Sequence, residues 1–209
     1  MRSYKGFTLI ELLIVIAIIL ILIAIALPNF LEAQIRAKVT RAKADMRTIS
    51  IALESYYLDW GQYTQDHDPD EVGDPDSQGL LQLTTPLTYL PQIPQDPFAQ
   101  PNGLLDPADD EVAFELLTSE NDVDDPRRSI IHCYNVTSHG PNQSDNFGCS
   151  DRWPFCDLID TCAKRDGWMT YSPTNGTRSR GELVHPGGEL RNGSYCIDDW
   201  QHILGKFNP

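Results

Sequence analysis

One apolar segment near the start of the chain limits its fold more than any other feature. Between residues 7 and 27 the only charged side chain is that of Glu11. As an α-helix this segment is about 30 Å long, which matches the hydrocarbon thickness of a bilayer. Arg2 and Lys5 precede it, and the basic flank of a membrane helix remains in the cytoplasm. The sequence therefore predicts one membrane crossing, with everything after Leu27 outside the cytoplasm.

The segment does not fit an ordinary cleaved signal peptide. A signal peptide has a shorter apolar core with a small-x-small cleavage site after it. Here Leu27 is followed by Pro28, Asn29 and Phe30. We therefore expect the transmembrane helix, residues 7–27, to stay in the mature chain.

The first 55 residues resemble the type IV pilin superfamily. The shared features are a short basic leader that ends at Gly6, an aromatic Phe7, an acid at Glu11 and a proline at position 28. The resemblance implies that a prepilin peptidase removes residues 1–6 by cleaving between Gly6 and Phe7, and that the new amine of Phe7 is methylated. It also implies an inner-membrane protein that assembles into a homo-oligomeric filament.

A carboxylate inside the apolar segment requires a partner. Placing one in a bilayer costs about 3 kcal/mol or more, and residues 7–27 contain no basic side chain. In the pilin family the partner is the N-terminal amine of a neighbouring subunit, so the resemblance assigns Glu11 to subunit assembly. The alternative is a carboxyl group that is protonated or lies near the lipid headgroups.

The helical pattern continues through residues 28–60 as an amphipathic stripe. Pro28 lacks an N–H, so we expect it to bend the helix without ending it. Apolar residues recur in steps of three and four, which predicts a helix face that packs a globular head. A coiled-coil stalk is the alternative. The stripe consists of Ile35, Val39, Ala42, Met46, Ile49, Leu53, Tyr56 and Trp60.

Charge is distributed unevenly along the chain. Residues 1–47 contain only three of the 30 acidic residues but seven of the 16 basic ones. Phosphate binding requires clustered Lys and Arg, so the acidic remainder excludes nucleic acid as an expected partner. The exception is a short basic belt, which we expect to be solvated or paired with Glu32 and Asp45. The basic belt consists of Arg36, Lys38, Arg41, Lys43 and Arg47.

Residues 61–128 are predicted to form an acidic, proline-rich connector with a short helix. The stretch 66–76 has the alternating aspartates of an EF-hand, but Glu71 and Ser77 stand where that loop requires glycine and glutamate. The helix is expected at residues 80–90, and residues 112–117 fit either a helix or a strand.

The connector and the region after it contain motifs similar to those of the major pseudopilins of type II secretion. They are residues 94–98 (PQDPF), Tyr134, and residues 138–142 (SHGPN). The resemblance implies a periplasmic pseudopilus subunit that drives protein secretion, with an inner-membrane assembly platform and minor pseudopilins as partners. A type IV pilus subunit for adhesion, motility or DNA uptake is the alternative, favoured by the long, cysteine-containing head.

These observations predict a pilin-like α+β fold: a long N-terminal helix packed on a small antiparallel sheet, with disulfide-rich loops. Residues 129–209 form the β-rich head, and an Asn175-Gly176 pair predicts a hairpin turn. The strand candidates are residues 129–136, 168–171 and 181–184.

A calcium ion is implied by the pseudopilin resemblance, because the loop after the Gly-Pro turn holds one in that family. The matching positions here offer hard oxygen ligands, although the paired acids of the family are missing. An ordinary polar loop is the alternative. The candidate ligands are Asn142, Ser144, Asp145, Asn146 and Asp151.

Five cysteines lie in the region predicted to be outside the cytoplasm, where disulfides form. We expect two disulfides and one remaining thiol, with the connectivity left open. Zinc is a minor alternative, since no Cys-x-x-Cys pair occurs and His132 and His139 lack a known zinc spacing. The cysteines are Cys133, Cys149, Cys156, Cys162 and Cys196.

No catalytic residues are predicted. The chain has no Gly-x-Ser-x-Gly elbow and no His-Glu-x-x-His pair. A structural subunit is therefore the better interpretation than an enzyme, with a membrane-tethered hydrolase as a remote alternative.

Overall fold

The computed structural model describes residues 6–67, 78–99, 113–119, 132–143, 171 and 181–189. The chain forms two compact units, Met1–Ala37 and Lys38–Pro209. The described elements are α1 (Leu9–Trp60), α2 (Gly79–Gln82), β1 (Glu115–Thr118), β2 (Cys133–Ser138) and β3 (Leu183–Gly188). The predicted α+β class with a small antiparallel sheet is confirmed.

Helix α1 runs through Pro28 without interruption, as predicted. It ends at Trp60, and the following Gly61 has a φ of 71°, the left-handed conformation that closes many helices. The N–H of Gly61 donates to the carbonyl of Tyr57 at 2.8 Å. The glycine therefore ends the helix where the sequence indicated, directly after Trp60.

Within the second unit, the apolar stripe of α1 forms the core beneath the sheet. Its buried members are Val39, Ala42, Met46, Ile49 and Leu53, and the neighbouring Ala52 is buried with them. The prediction was wrong at the end of the stripe, because Trp60 is 52% exposed. It packs on tyrosine rings at the surface and not in the core.

The sheet has the order β1-β2-β3, and both pairings are antiparallel. Every residue of β2 is buried, because neighbouring strands flank it and both of its faces are covered. On the face towards α1, the Tyr134 ring packs on the backbone of Gly187: an added Cβ there would lie 2.1 Å from Tyr134 Cζ. A side chain at position 187 would therefore displace this tyrosine.

The strand bounds differ from those predicted. Strand β2 extends to Ser138, and β3 extends through Pro186, which is tolerated because β3 lies at an edge of the described sheet. Residues 112–117 fitted either a helix or a strand, and the structure shows a strand there, since β1 pairs in register with β2. The candidate at residues 168–171 lies outside the described residues except for Tyr171, whose N–H donates to Glu182 O at 2.9 Å. The Asn175-Gly176 turn also lies outside them.

The predicted helix at residues 80–90 is reduced to the single turn of α2. The Thr84 hydroxyl donates to the carbonyl of Leu81 at 2.8 Å, and such local bonds compete with helix continuation. Pro86 follows and cannot donate to a helical ladder. The threonine and the proline therefore end the helix that the apolar leucines of this segment predicted.

Candidate assembly site

The N-terminus of α1 is closed by a capping box. The Thr8 N–H donates to Glu11 Oε2 at 2.9 Å, and the Thr8 hydroxyl donates to the same oxygen at 2.6 Å. In return, the Glu11 N–H donates to Thr8 Oγ1 at 3.3 Å. This is the reciprocal Thr-x-x-Glu arrangement that begins many helices. The carboxylate therefore has polar partners within its own chain, which the sequence analysis overlooked although the Thr-x-x-Glu spacing signals them.

Gly6 and Phe7, the residues of the predicted cleavage site, precede α1 and are exposed. A Cβ added at Gly6 would meet nothing within 4 Å. The fold itself therefore does not require glycine at this position.

The first half of α1 exposes a continuous apolar surface. Every large hydrophobic side chain from Phe7, 73% exposed, to Leu31, 49% exposed, lies open on the helix. Among the described residues, α1 is the one helix long and apolar enough to cross a membrane. Exposed apolar area on this scale marks a surface for lipid or protein, which supports membrane anchoring.

The basic belt is partly paired, as predicted. Arg36 forms an ion pair with Glu32, one helical turn away. Arg41 Nε lies 3.5 Å from Asp45 Oδ2, and the Lys38 ammonium lies 5.8 Å from the centroid of the Phe98 ring. Ion pairs as exposed as the first two are individually weak.

The two motifs that carried the pseudopilin resemblance are joined by one carboxylate. Asp96 is 4% exposed, and its Oδ1 accepts the N–H of Phe98 at 2.9 Å, which fixes the proline turn. Its Oδ2 accepts the N–H of His139 at 3.1 Å and lies 3.8 Å from His139 Nδ1. A buried carboxylate stabilises a structure only when its oxygens are bonded. Asp96 therefore ties residues 94–98 to residues 138–142.

The turn at residues 138–142 also closely approaches the residues just before β3. Gly140 has a φ of 67°, and an added Cβ would lie 2.6 Å from the carbonyl oxygen of Gly181. Both the backbone conformation and the lack of space require glycine here.

A polar cluster fastens α1 to the sheet. The Tyr134 hydroxyl forms a short hydrogen bond with Ser50 and donates to Glu54 Oε1 at 3.1 Å. Tyr63 donates to both oxygens of Glu54 at 3.3 Å. Burial, followed by the nearby Glu54 carboxylate, raises the pKa of Tyr63. Burial likewise raises the pKa of Tyr134, so both phenols stay protonated as donors.

Of the five candidate calcium ligands, only Asn142 lies within the described residues. Its Oδ1 is buried and accepts no hydrogen bond in the described part of the chain. A carboxamide oxygen of this kind fits calcium. No cluster of three or more His, Cys, Asp or Glu side chains occurs among the described residues. The remaining candidates, Ser144, Asp145, Asn146 and Asp151, lie outside them.

The cysteine predictions are not tested by the described residues. Cys133 lies buried at the first position of β2, and its N–H donates to Ser119 Oγ at 3.1 Å. Cys149, Cys156, Cys162 and Cys196 lie outside the described residues. Two disulfides with one remaining thiol therefore stay a prediction.

Comparison with known proteins matches two families. The prokaryotic N-terminal methylation motif matches residues 1–27, and the profile of type II secretion system (T2SS) protein G matches residues 29–126. The chain is 36% identical over 108 residues to the type II secretion system core protein G of Pseudomonas aeruginosa, which covers 51% of this chain and 76% of that protein.

Pilins match a shorter stretch. The type IV major pilin protein PilA of Myxococcus xanthus is 47% identical over 60 residues, 29% of this chain and 27% of that protein. The wide pilus major component PilA4 of Thermus thermophilus is 52% identical over 64 residues, 31% of this chain and 49% of that protein. No solved structure matches the chain at a significant level. Since the long match is to core protein G, the chain belongs to the type II secretion system protein G family, the pseudopilins.

Proposed function

We propose that the chain is the structural subunit of a periplasmic pseudopilus that drives protein secretion. The observation that carries this proposal is the Asp96 bridge between residues 94–98 and 138–142. It makes one structural unit of the two motifs that resemble the major pseudopilins. The match to core protein G supports it further.

Maturation precedes assembly in this proposal. A prepilin peptidase cleaves between Gly6 and Phe7, and the new amine of Phe7 is methylated. The match to the methylation motif supports this step, as does the absence of any steric need for glycine at position 6 in the fold. The mature subunit is held in the inner membrane by residues 7–27, with its head in the periplasm.

Assembly then buries the apolar half of α1 among copies of itself. The filament grows from an inner-membrane assembly platform and includes minor pseudopilins. We assign Glu11 to the pairing with the Phe7 amine of a neighbouring subunit. Its own bonds to Thr8 hold the carboxylate at the start of the helix, four residues from Phe7.

A calcium ion in the loop after the Gly-Pro turn is part of the proposal. Asn142 Oδ1 is the described donor, and Ser144, Asp145, Asn146 and Asp151 are the other candidates. The ion would order this end of the head. Calcium addition to chelator-treated protein should raise the melting temperature, and an unchanged melting temperature would remove the site.

The alternative is a type IV pilus subunit displayed on the cell surface. The matches to PilA and PilA4 support it, but they are confined to about 60 residues. A match of this length is too short to include both the proline turn and the whole sheet.

Mass spectrometry of sheared surface filaments and of washed envelopes separates the two functions. Cells at native expression are used, and the peptide that begins at Phe7 is followed. Recovery in the envelope with methylated Phe7 supports the pseudopilus. Recovery mainly as long fibres in the sheared fraction favours the pilus.

A further inference from the structure

An aromatic patch lies exposed where α1 ends. Trp60 stacks on Tyr56 with ring centroids 5.8 Å apart, and Tyr56 meets Tyr89 edge-on at 5.5 Å. Trp60 is 52% exposed. We name Tyr56, Trp60 and Tyr89 the aromatic patch, and it plays no part in the function proposed above.

The rings of the aromatic patch are held in place before any partner binds. Trp60 Nε1 donates to the Tyr89 hydroxyl at 3.1 Å, and that hydroxyl donates to Asp59 Oδ2 at 2.8 Å. A binding partner therefore need not immobilise these side chains, which lowers the entropy cost of association. An exposed, fixed tryptophan beside a carboxylate suits an arginine or lysine side chain, through stacking and ion pairing.

The chain itself carries suitable cations in the basic belt. Lys43 and Arg47 are exposed. Unlike Arg36 and Arg41, they have no carboxylate within 4.0 Å in the described part of the chain. These two belt residues therefore carry positive charge that the described contacts do not neutralise.

The aromatic patch and these two cations are too far apart to meet within one chain. Arg47 and Lys43 precede Trp60 by 13 and 17 residues, which corresponds to about 20–26 Å along the helix axis. Viewed down the helix axis, Lys43 and Arg47 point about 140° away from the direction of Tyr56 and Trp60. Complementary surfaces on different sides of a molecule favour head-to-tail contacts, which propagate into open helical assemblies.

We propose that the aromatic patch of one subunit binds Lys43 and Arg47 of a second copy of this chain. Arg47 stacks on Trp60 and Lys43 pairs with Asp59. The proposal rests on the proposed function, because a filament supplies parallel copies that are displaced along their axes. It places a second subunit contact in the heads, beyond the membrane-spanning half of α1.

Photo-crosslinking of assembled filaments tests this contact. Benzoylphenylalanine, which keeps aromatic rings at this position, replaces Trp60 in the full-length chain. Irradiated filaments are digested with a glutamate-specific protease. The expected product joins position 60 to the peptide of residues 33–54 from a second copy. Filaments in which position 60 links only to other segments, or to none, overturn the proposal.

Charge reversal provides a second test that does not depend on the probe. K43E/R47E and Trp60→Ala should each lower filament yield at least about tenfold, as expected for a hot spot. Leu58→Ala is the matched control, because Leu58 is 83% exposed on the same helix but outside the patch. Adding Asp59→Lys to K43E/R47E should restore part of the yield. A wild-type yield from K43E/R47E overturns the proposal.

The two proposals fail separately. If the unaltered chain forms no filament at native expression, the proposed function itself fails. If it forms filaments but position 60 crosslinks elsewhere, the proposed function stands and only the patch contact is lost.

Discussion

The two halves of α1 use similar apolar residues in opposite ways. From Phe7 to Leu31, every large hydrophobic side chain is exposed. From Val39 to Leu53, the apolar stripe is buried under the sheet, and Leu53 is 0% exposed. Burial of apolar surface is the main favourable term in folding. The head therefore obtains its stability from contacts within the chain, whereas the first half of α1 depends on lipid or on other subunits.

Two carboxylates on the same helix show the same contrast. Among the described residues, Glu11 bonds to Thr8 alone, in its own first turn. Glu54 accepts bonds from Tyr134 and Tyr63, which lie on the sheet and in the segment after α1. Glu54 therefore contributes to the tertiary structure of the head, and Glu11 remains available for an assembly contact.

Gly6→Leu should give the largest effect, which falls on the first region alone. The fold has room for a side chain at position 6, so the head should be unchanged. The peptidase should fail to cleave, and intact-mass spectrometry should find residues 1–6 on essentially all of the protein. Ser3→Leu, a bulky change elsewhere in the leader, is the control and should be processed normally. Mature protein from Gly6→Leu would contradict the assigned cleavage site.

Asp96→Ala should destabilise the head without affecting maturation. The change leaves the N–H groups of Phe98 and His139 without their acceptor in a buried site, which costs about 3 kcal/mol. Urea unfolding of the full-length protein in detergent measures this loss. Asp59→Ala removes an exposed carboxylate and should cost less than about 1 kcal/mol. If Asp96→Ala and Asp59→Ala lowered the free energy of unfolding equally, Asp96 would not hold the two turns together.

His67 should make the stability of the head depend on pH. Its backbone pairs with Leu116, its Nδ1 is buried, and burial lowers its pKa from 6.5 to about 4. The unfolded chain binds a proton below pH 6.5 and the folded chain only near pH 4, so stability falls as the pH drops through this window. Between pH 7 and pH 5, His67 should lower the free energy of unfolding by about 2 kcal/mol.

His67→Gln, which cannot titrate, separates this contribution from those of the acidic groups. Unfolding free energies of both proteins at pH 7 and pH 5 give the difference directly. The variant should lose less stability than the wild type on acidification. The same loss in both proteins would show that His67 is not held neutral by the fold.

The sequence was sufficient where the signal is local or periodic. The apolar length of residues 7–27, the buried part of the stripe from Val39 to Leu53 and the glycine at position 61 each follow from properties of neighbouring residues. The capping box was equally readable, since Thr8 and Glu11 have the required spacing.

The remaining features depend on contacts between distant parts of the chain. Asp96 and His139 are 43 residues apart, and no local pattern predicts that one carboxylate serves both turns. The exposure of Trp60 depends on Tyr89, with which it shares a hydrogen bond. The length of β3 was underestimated because Pro186 disfavours a strand, although an edge strand accommodates it.

The yield of filaments from Glu11→Gln, at matched levels of processed subunit, tests the contrast between the two regions most directly. Glutamine keeps a side-chain acceptor for Thr8 but removes the charge. We expect normal membrane insertion, cleavage before Phe7 and an unchanged unfolding transition of the head, with filament yield reduced at least about tenfold. Wild-type filament yield from Glu11→Gln would contradict this expectation, because subunit assembly would then not require the charge at the start of α1.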